Sequence, residues 1–294
     1  MKFKTVLVTG SSGFIGGHLC ENLRDRGIFV KGFSNSKEKF SDEQINGDIS
    51  DFETLNSACK NVDLIFHLAG TSSPQIANFS NDSLNTNIQG TANVMEAAFQ
   101  NKVKRVVFAS SAYVYGAGIK APIPETLSLF PNSKYGVLKL MGEDICNFYA
   151  RKGLSVSIAR LFNVFGDRQV NRVIPDLIAK ASRKSNFFEI SGNAADTRDF
   201  LHVSHACDGL FLIASKGKSN EAYNLASGVE TDMVALSNLI ISAFKKIDAE
   251  FNKVPKYNHS KPTAKRIVAD IGKIKRLGFV CEKINANQIV RMIK

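Results

Sequence analysis

Tyr135 and Lys139 stand four residues apart in Pro131-Asn132-Ser133-Lys134-Tyr135-Gly136-Val137-Leu138-Lys139. On a helix that spacing puts them on one face. A phenol with an ordinary pKa near ~10 is a poor base at neutral pH, and a nearby ammonium favours its phenolate. The pair is therefore suited to exchanging a proton with a sugar or alcohol hydroxyl. Upstream, an apolar run from Val103 to Ala109 ends in Ser110-Ser111-Ala112-Tyr113-Val114-Tyr115-Gly116. Ser111 would give the same oxygen a second hydrogen bond. A Tyr and a Lys at this interval occur by chance in many helices, so the order of features along the chain is what makes the set specific.

The first of those features is Val6-Leu7-Val8-Thr9-Gly10-Ser11-Ser12-Gly13-Phe14-Ile15-Gly16, an apolar strand running into three glycines spaced three apart and then an amphipathic segment. Gly10 permits a tight turn, Gly13 lets the backbone approach a pyrophosphate, and Gly16 lets the following helix pack closely on the strand. A phosphate pair would rest beside Ser12, Gly13, Phe14 and Ile15, on free N–H groups at a helix N-terminus. A nicotinamide beyond that cradle would reach Tyr135 and Lys139. Its positive ring would add to the pull toward phenolate, and Lys139 would hold its ribose.

Dinucleotide folds often keep an Asp or Glu at the end of the second strand for the adenosine ribose. Here Gly32-Phe33-Ser34-Asn35-Ser36-Lys37 has no carboxylate. Ser34, with Asn35 beside it, offers only neutral hydrogen bonds, and Lys37 could meet a ribose phosphate or simply stand in solvent. The cofactor therefore reads as NAD or NADP. Asp48, followed by Ile49, either bonds an adenine amine or caps the next helix. His67-Leu68-Ala69-Gly70 closes a further strand with small residues that let a cofactor pass, and His67 reads as packed, not catalytic. Asn87 lies on a long helical segment from about Leu84 to Gln100.

Strand patterns at 3–9, 28–33, 62–68 and 103–109, with a short one before Gly47, alternate with helical stretches. One of these, marked by Phe14, Ile15, Leu19 and Leu23, stops at Gly27. Such alternation predicts an α/β fold: a doubly wound parallel Rossmann sheet with its ligands at the carboxyl ends of the strands. Residues 1–165 read as the NAD(P)-binding domain, to which segments near 200–227 return. Residues 166–294 read as mainly a smaller C-terminal substrate-binding lobe, built from Met233 to Phe244 and the tail.

With these motifs in hand, the chain resembles an extended short-chain dehydrogenase/reductase of the NAD(P)-dependent nucleotide-sugar epimerase and dehydratase family, in the pattern of UDP-galactose 4-epimerases. The likeness covers nearly the whole chain. It takes in Thr9 to Gly16, Gly47 to Asp51, His67 to Ala69, Asn87 to Gly90, the Ser111 segment, and Tyr135 with Lys139. It continues through Arg160-Leu161-Phe162-Asn163-Val164-Phe165-Gly166, Arg198-Asp199-Phe200-Leu201-His202-Val203, and Asp270 to Gly278. The resemblance implies that Ser111, Tyr135 and Lys139 are catalytic. It also implies that Asn163 and Arg198 contact the diphosphate of a nucleotide-sugar substrate, and that the chain forms a homodimer through the helices at 84–100 and 135–150. A guanidinium fork suits phosphate oxygens, although an ion pair with Asp196 or Asp199 would equally occupy Arg198. Two departures stand out. Dehydratases of this kind carry an Asp-Glu pair where this chain has Ala112 and Tyr113, which argues against water elimination. A late arginine on the diphosphate is replaced by Lys261 in Ser260-Lys261-Pro262-Thr263, which keeps the charge and loses the fork.

These readings converge on redox chemistry at C4 of a nucleotide-diphosphate hexose, first as a 4-epimerase. An NADPH-dependent reductase of nucleotide 4-keto-6-deoxy-sugars uses the same residues, and a non-catalytic dinucleotide-binding regulator is the remote alternative. The 294 residues have an ordinary globular composition and no apolar run of membrane-spanning length. The short run after Met1-Lys2-Phe3-Lys4 is no signal peptide, so the expected compartment is the cytoplasm, with no membrane partner. Five cysteines stand singly, which suggests neither a disulfide framework nor a metal site. Between Lys245 and Lys294, thirteen Lys or Arg face four Asp or Glu, a net of +9 against +11 for the chain. Without interleaved aromatics this tail does not suggest nucleic acid. It reads as a solvated face, or, through Lys261, Lys265 and Arg266, as an attractor for an anionic substrate.

Overall fold

Val6, Leu7 and Val8 are fully buried because the strand that carries them has parallel neighbours on both edges and helices over both faces. The computed structural model describes residues 3–36, 38–71, 79–191, 193–258 and 266–293. In chain order the main elements are β1 (Thr5–Thr9), α1 (Phe14–Asp25), β2 (Phe29–Ser34), β3 (Glu43–Asn46), α2 (Phe52–Ala58), β4 (Leu64–His67), α3 (Asn81–Leu84), α4 (Gly90–Gln100), β5 (Arg105–Ser111), α5 (Lys134–Arg151) and β6 (Val156–Leu161). They are followed by β7 (Asn163–Phe165), α6 (Val173–Ser182), β8 (Phe187–Ser191), β9 (Thr197–His202), α7 (Val203–Lys216), β10 (Glu221–Leu225), β11 (Glu230–Asp232), α8 (Met233–Lys245), β12 (Val254–Asn258), β13 (Arg266–Ile267), α9 (Gly272–Lys275) and α10 (Ala286–Ile293).

The seven-stranded sheet runs β10-β6-β5-β4-β1-β2-β3, every neighbour parallel. The chain turns one way from β1 to β2 and the other way to β4, and ligands of doubly wound sheets bind at that reversal. One core packs α1, α7 and α9 on the sheet, and another packs α2, α4 and α5. A third core joins α6, α8 and α10 with β8 and β9. In that smaller unit, the start of β9 pairs with β11 and β13, and its end pairs with β7.

The segment from Leu84 to Gln100 is not one uniform helix. A wider π-helical turn at Asn85–Gln89, with Asn87 buried in it, separates α3 from α4. The helix after Gly47 is capped by Asp51, which accepts from Thr54 N, and not by Asp48. Asp48 instead folds onto Ser50, accepting from its N–H and its hydroxyl. The basic tail divides: Ile271, Ile274 and Phe279 enter the main core, while α10 packs on α8. Lys273 is not part of a solvated face. It donates to Ala222 O and pairs with Glu221, pinning α9 to β10.

Candidate active site

The glycine turn has the expected form, for reasons that can be stated atom by atom. Gly10 adopts φ +72, and a Cβ there would lie 2.8 Å from Ala69 N. A Cβ on Gly16 would lie 2.0 Å from Gly10 O, so only glycine lets α1 begin this close to β1. Gly13 occupies the N-cap position of α1 and no side chain caps it. The N–H groups of the first turn, at Phe14 and Ile15, are therefore open to an anion. Asn87 donates to Ser83 O at 2.8 Å, while its buried Oδ1 has no partner among the described residues. A Cβ on Gly70 would lie 3.0 Å from that oxygen and 3.4 Å from Lys139 Nζ, so Gly70 keeps the space between them clear. An uncapped helix start, an unpaired acceptor and the space kept clear at Gly70 together fit a dinucleotide.

At the adenosine end, Ser34 is buried and its hydroxyl is already engaged. It donates to Ser36 O at 3.2 Å and accepts from Gln44 Nε2 at 3.1 Å. Gln44 Oε1 in turn accepts from Ser11 and Ser41. Ser34's hydroxyl is thus held within this network, and Asn35 beside it is exposed at the strand end. Gln44 was missed by the sequence reading. Its signal was Gly32, where a Cβ would lie 2.5 Å from Gln44 Oε1. Asp48 is exposed and Ile49 buried beside it. Lys37 and Lys261 lie outside the described residues. His67 is fully buried between the hydroxyls of Thr9 and Thr91, at 2.8 and 3.0 Å, and burial pushes its pKa down to about 3. It is a packed neutral ring.

Ser111, Tyr135 and Lys139 converge at the carboxyl end of β5. Ser133 caps α5, accepting from Gly136 N, so the helix begins just before Tyr135 and the i, i+4 geometry holds. The Tyr135 phenol is hydrogen-bonded to Ser111. Lys139 Nζ donates to Ala109 O at 2.9 Å and lies 5.9 Å from the Tyr135 ring centroid. The electrostatics correct one expectation. Burial raises the phenol above its ordinary pKa, against the smaller opposing effects of Ser111 and Arg172, and burial lowers Lys139 to about 8. The protein alone keeps Tyr135 protonated, because desolvation opposes both charged forms.

Ser111 and Tyr135 open into a cavity of about 660 Å³ that Asn163 and Arg198 also line. The pairing of β7 with β9 brings those two together. Asn163 Nδ2 donates to Asp199 O at 3.4 Å. Asp199 does not hold Arg198: its carboxylate accepts from Ser227 N and Oγ, Gly228 N and Ala269 N. Arg198 Nε is buried without a partner among the described residues. Arg266 is held by Glu230 through two contacts of 2.7 Å and is not a free attractor. Two further wall residues escaped the sequence reading as binding groups: Tyr113, whose ring meets Tyr135 edge-on at 5.6 Å, and Arg172 at the start of α6. Neither sits in a spacing that announces it.

The chain belongs to the NAD dependent epimerase/dehydratase family, whose model matches residues 6–226. It is an enzyme of the extended short-chain dehydrogenase/reductase type, using NAD or NADP. It is 31% identical to a putative UDP-glucose 4-epimerase of Methanocaldococcus jannaschii, over 93% of this chain and 92% of that one. It is 30% identical to the UDP-N-acetyl-alpha-D-glucosaminuronate decarboxylase of Bacillus cytotoxicus, over 93% and 91%. Among solved structures it matches MoeE5 in complex with UDP-glucose and NAD at a TM-score of 0.84 and 31% identity, covering 98% of this chain and 97% of that one. Among the described residues, no helix is long and apolar enough to cross a membrane.

Proposed function

We propose that this chain is a nucleotide-sugar 4-epimerase, with residues 1–165 and the returning segment near 200–227 holding the dinucleotide and residues 166–294 mainly holding the sugar nucleotide. The observation that carries this reading is that Ser111 and Tyr135 open into one cavity with Asn163 and Arg198, next to a cradle that fits a dinucleotide. A nicotinamide bound there supplies the acceptor and donor of the C4 hydride. Tyr135 takes the proton of the C4 hydroxyl and later returns it, and Ser111 holds the same oxygen by a hydrogen bond. Lys139, with one of its protons on Ala109 O, has the others left for a ribose. Arg198 forks onto the diphosphate, which leaves the hexose free to present either face. The curated relatives include a putative 4-epimerase, which supports this choice.

The test is incubation of the purified protein with UDP-galactose and no added cofactor, followed by chromatography of the sugar nucleotides. Interconversion with the glucose isomer is the expected result. The absence of a carboxylate at Ser34 favours a second reading, an NADPH-dependent 4-keto-sugar reductase. Turnover of a keto sugar only, with one NADPH oxidised per product, would select it. We further propose a homodimer through α4 and α5, where Phe99, Met141 and Phe148 are exposed although apolar. Sedimentation equilibrium, in which Phe148→Glu should shift the mass toward the monomer, tests this.

A further inference from the structure

His67 makes two hydrogen bonds that the mechanism does not use, and its partners fix where its proton lies. Thr91 Oγ1 donates to Asn87 O at 2.6 Å, and a hydroxyl has only one proton to give. At the 3.0 Å contact with His67 Nε2 the Thr91 oxygen must therefore accept, so Nε2 carries the ring proton. A neutral imidazole has no second proton, so Nδ1 accepts, and the Thr9 hydroxyl donates to it at 2.8 Å. The Thr9 oxygen is then left to accept from Ala69 N at 3.3 Å. The bonds run one way, from Thr9 to His67 to Thr91 to Asn87 O, and none of the first three residues is more than 2% exposed.

The two ends of this series flank the dinucleotide cradle. Thr9 closes β1 and precedes Gly10, where the glycine turn begins. Asn87 lies in the π-helical turn with its Nδ2 on Ser83 O. Its backbone carbonyl and its amide are thus both held, and the group it has left is Oδ1, buried and unpaired among the described residues. Gly70 keeps clear the space which that oxygen shares with Lys139 Nζ. An acceptor and an ammonium bordering one space suit a hydroxyl, which donates to the first and accepts from the second. The hydroxyls of a dinucleotide are those of its riboses, and Lys139 shares a helix face with Tyr135, so the ribose in question is the one that carries the nicotinamide.

We infer that His67 is a positioning residue for the dinucleotide: through Thr91 it fixes Asn87 so that Oδ1 meets a hydroxyl of the nicotinamide ribose beside Lys139. His67 touches neither substrate nor cofactor. It accepts at one ring nitrogen and donates at the other, so it ties the end of β1 to the π-helical turn; a phenyl ring would fill the same space and make neither bond. Burial keeps the ring neutral, with its pKa pushed down to about 3, so the order of donors and acceptors holds at neutral pH. The inference rests on the dinucleotide cradle, which the epimerase and reductase readings share, and not on the choice between them.

The experiment is titration calorimetry of the cofactor-free protein with NAD, NADP and ADP, for the wild type, His67→Phe, Thr91→Val, Thr91→Ser and Asn87→Ala. Thr91→Val keeps the volume and removes the hydroxyl. It should weaken the better-bound dinucleotide about tenfold or more and ADP less than about threefold, and His67→Phe should do the same. Thr91→Ser, which keeps the hydroxyl, should stay within about threefold of the wild type. In the Asn87→Ala background, Thr91→Val should add less than about threefold, because the group through which it acts is gone. Nitrogen-15 NMR of the imidazole, assigned by the loss of its signals in His67→Phe, should show the Nε2–H tautomer unchanged between about pH 5 and pH 8. An Nδ1–H tautomer would overturn the inference. So would an equal loss of ADP and dinucleotide affinity in Thr91→Val, or a full effect of Thr91→Val when Asn87 is already alanine.

Discussion

Replacing Lys139 by Met should make the protein more stable and inactive at once. Lys139 is 6% exposed, and burial takes its pKa from 10.5 to about 8 in the folded chain. Holding the charge inside at neutral pH therefore costs about 3 kcal/mol relative to the unfolded chain. The Nζ bond to Ala109 O returns about 1 kcal/mol. Met fills nearly the same volume and keeps the contact with the Phe108 ring, over which Nζ lies at 5.1 Å. The net gain is about 2 kcal/mol at pH 7, or a rise in Tm of roughly 3–6 °C for a chain of this size. The sign of the pH dependence follows from the folded pKa lying below the unfolded one. The penalty is fully present below about pH 8 and fades as the pH rises toward 10.5, so the advantage of Lys139→Met shrinks over that window. Differential scanning calorimetry of the wild type and the variant without ligand, at pH 7 and at pH 10, measures it. A variant less stable than the wild type at pH 7, or an advantage independent of pH, would refute the reasoning.

Tyr135→Phe should lower kcat by about 10²- to 10⁴-fold while leaving sugar-nucleotide affinity within a few-fold, as checked by steady-state kinetics beside calorimetry. Gly16→Ala places a methyl 2.0 Å from Gly10 O, which is backbone and cannot swing away, so dinucleotide affinity should fall at least tenfold in a fluorescence titration. Glu143→Gln leaves the buried Arg160 guanidinium without its counter-charge, now met by Oε1 at 3.0 Å from Nε and by Oε2 at 2.8 Å from NH2, and it should cost about 3–5 kcal/mol in urea unfolding. The same glutamate accepts from Ser110, adjacent to Ser111, so a loss of kcat should accompany the loss of stability.

How much was legible beforehand depended on the range of the signal. The glycine turn, most of the alternating elements and the shared helix of Tyr135 and Lys139 are local: strand period, helix period and the steric demand of a tight turn act within a few residues. The parallel sheet followed from that alternation because crossovers bury both faces. The widened turn at Asn87 and the Asp51 cap left weaker traces, since several nearby residues could have served either role.

The sequence by itself determined the class of fold, the cradle and the identity of the three groups at the end of β5 and the start of α5, because backbone sterics and side-chain periodicity are written in neighbouring residues. Only the tertiary structure decided what those groups are worth. The raised phenol of Tyr135, the lowered ammonium of Lys139, the engaged hydroxyl of Ser34 and the buried Arg198 Nε, unpaired among the described residues, all depend on what packs against them from distant parts of the chain. Desolvation and charge act through space, and no spacing along the sequence records which side chains will share a cavity.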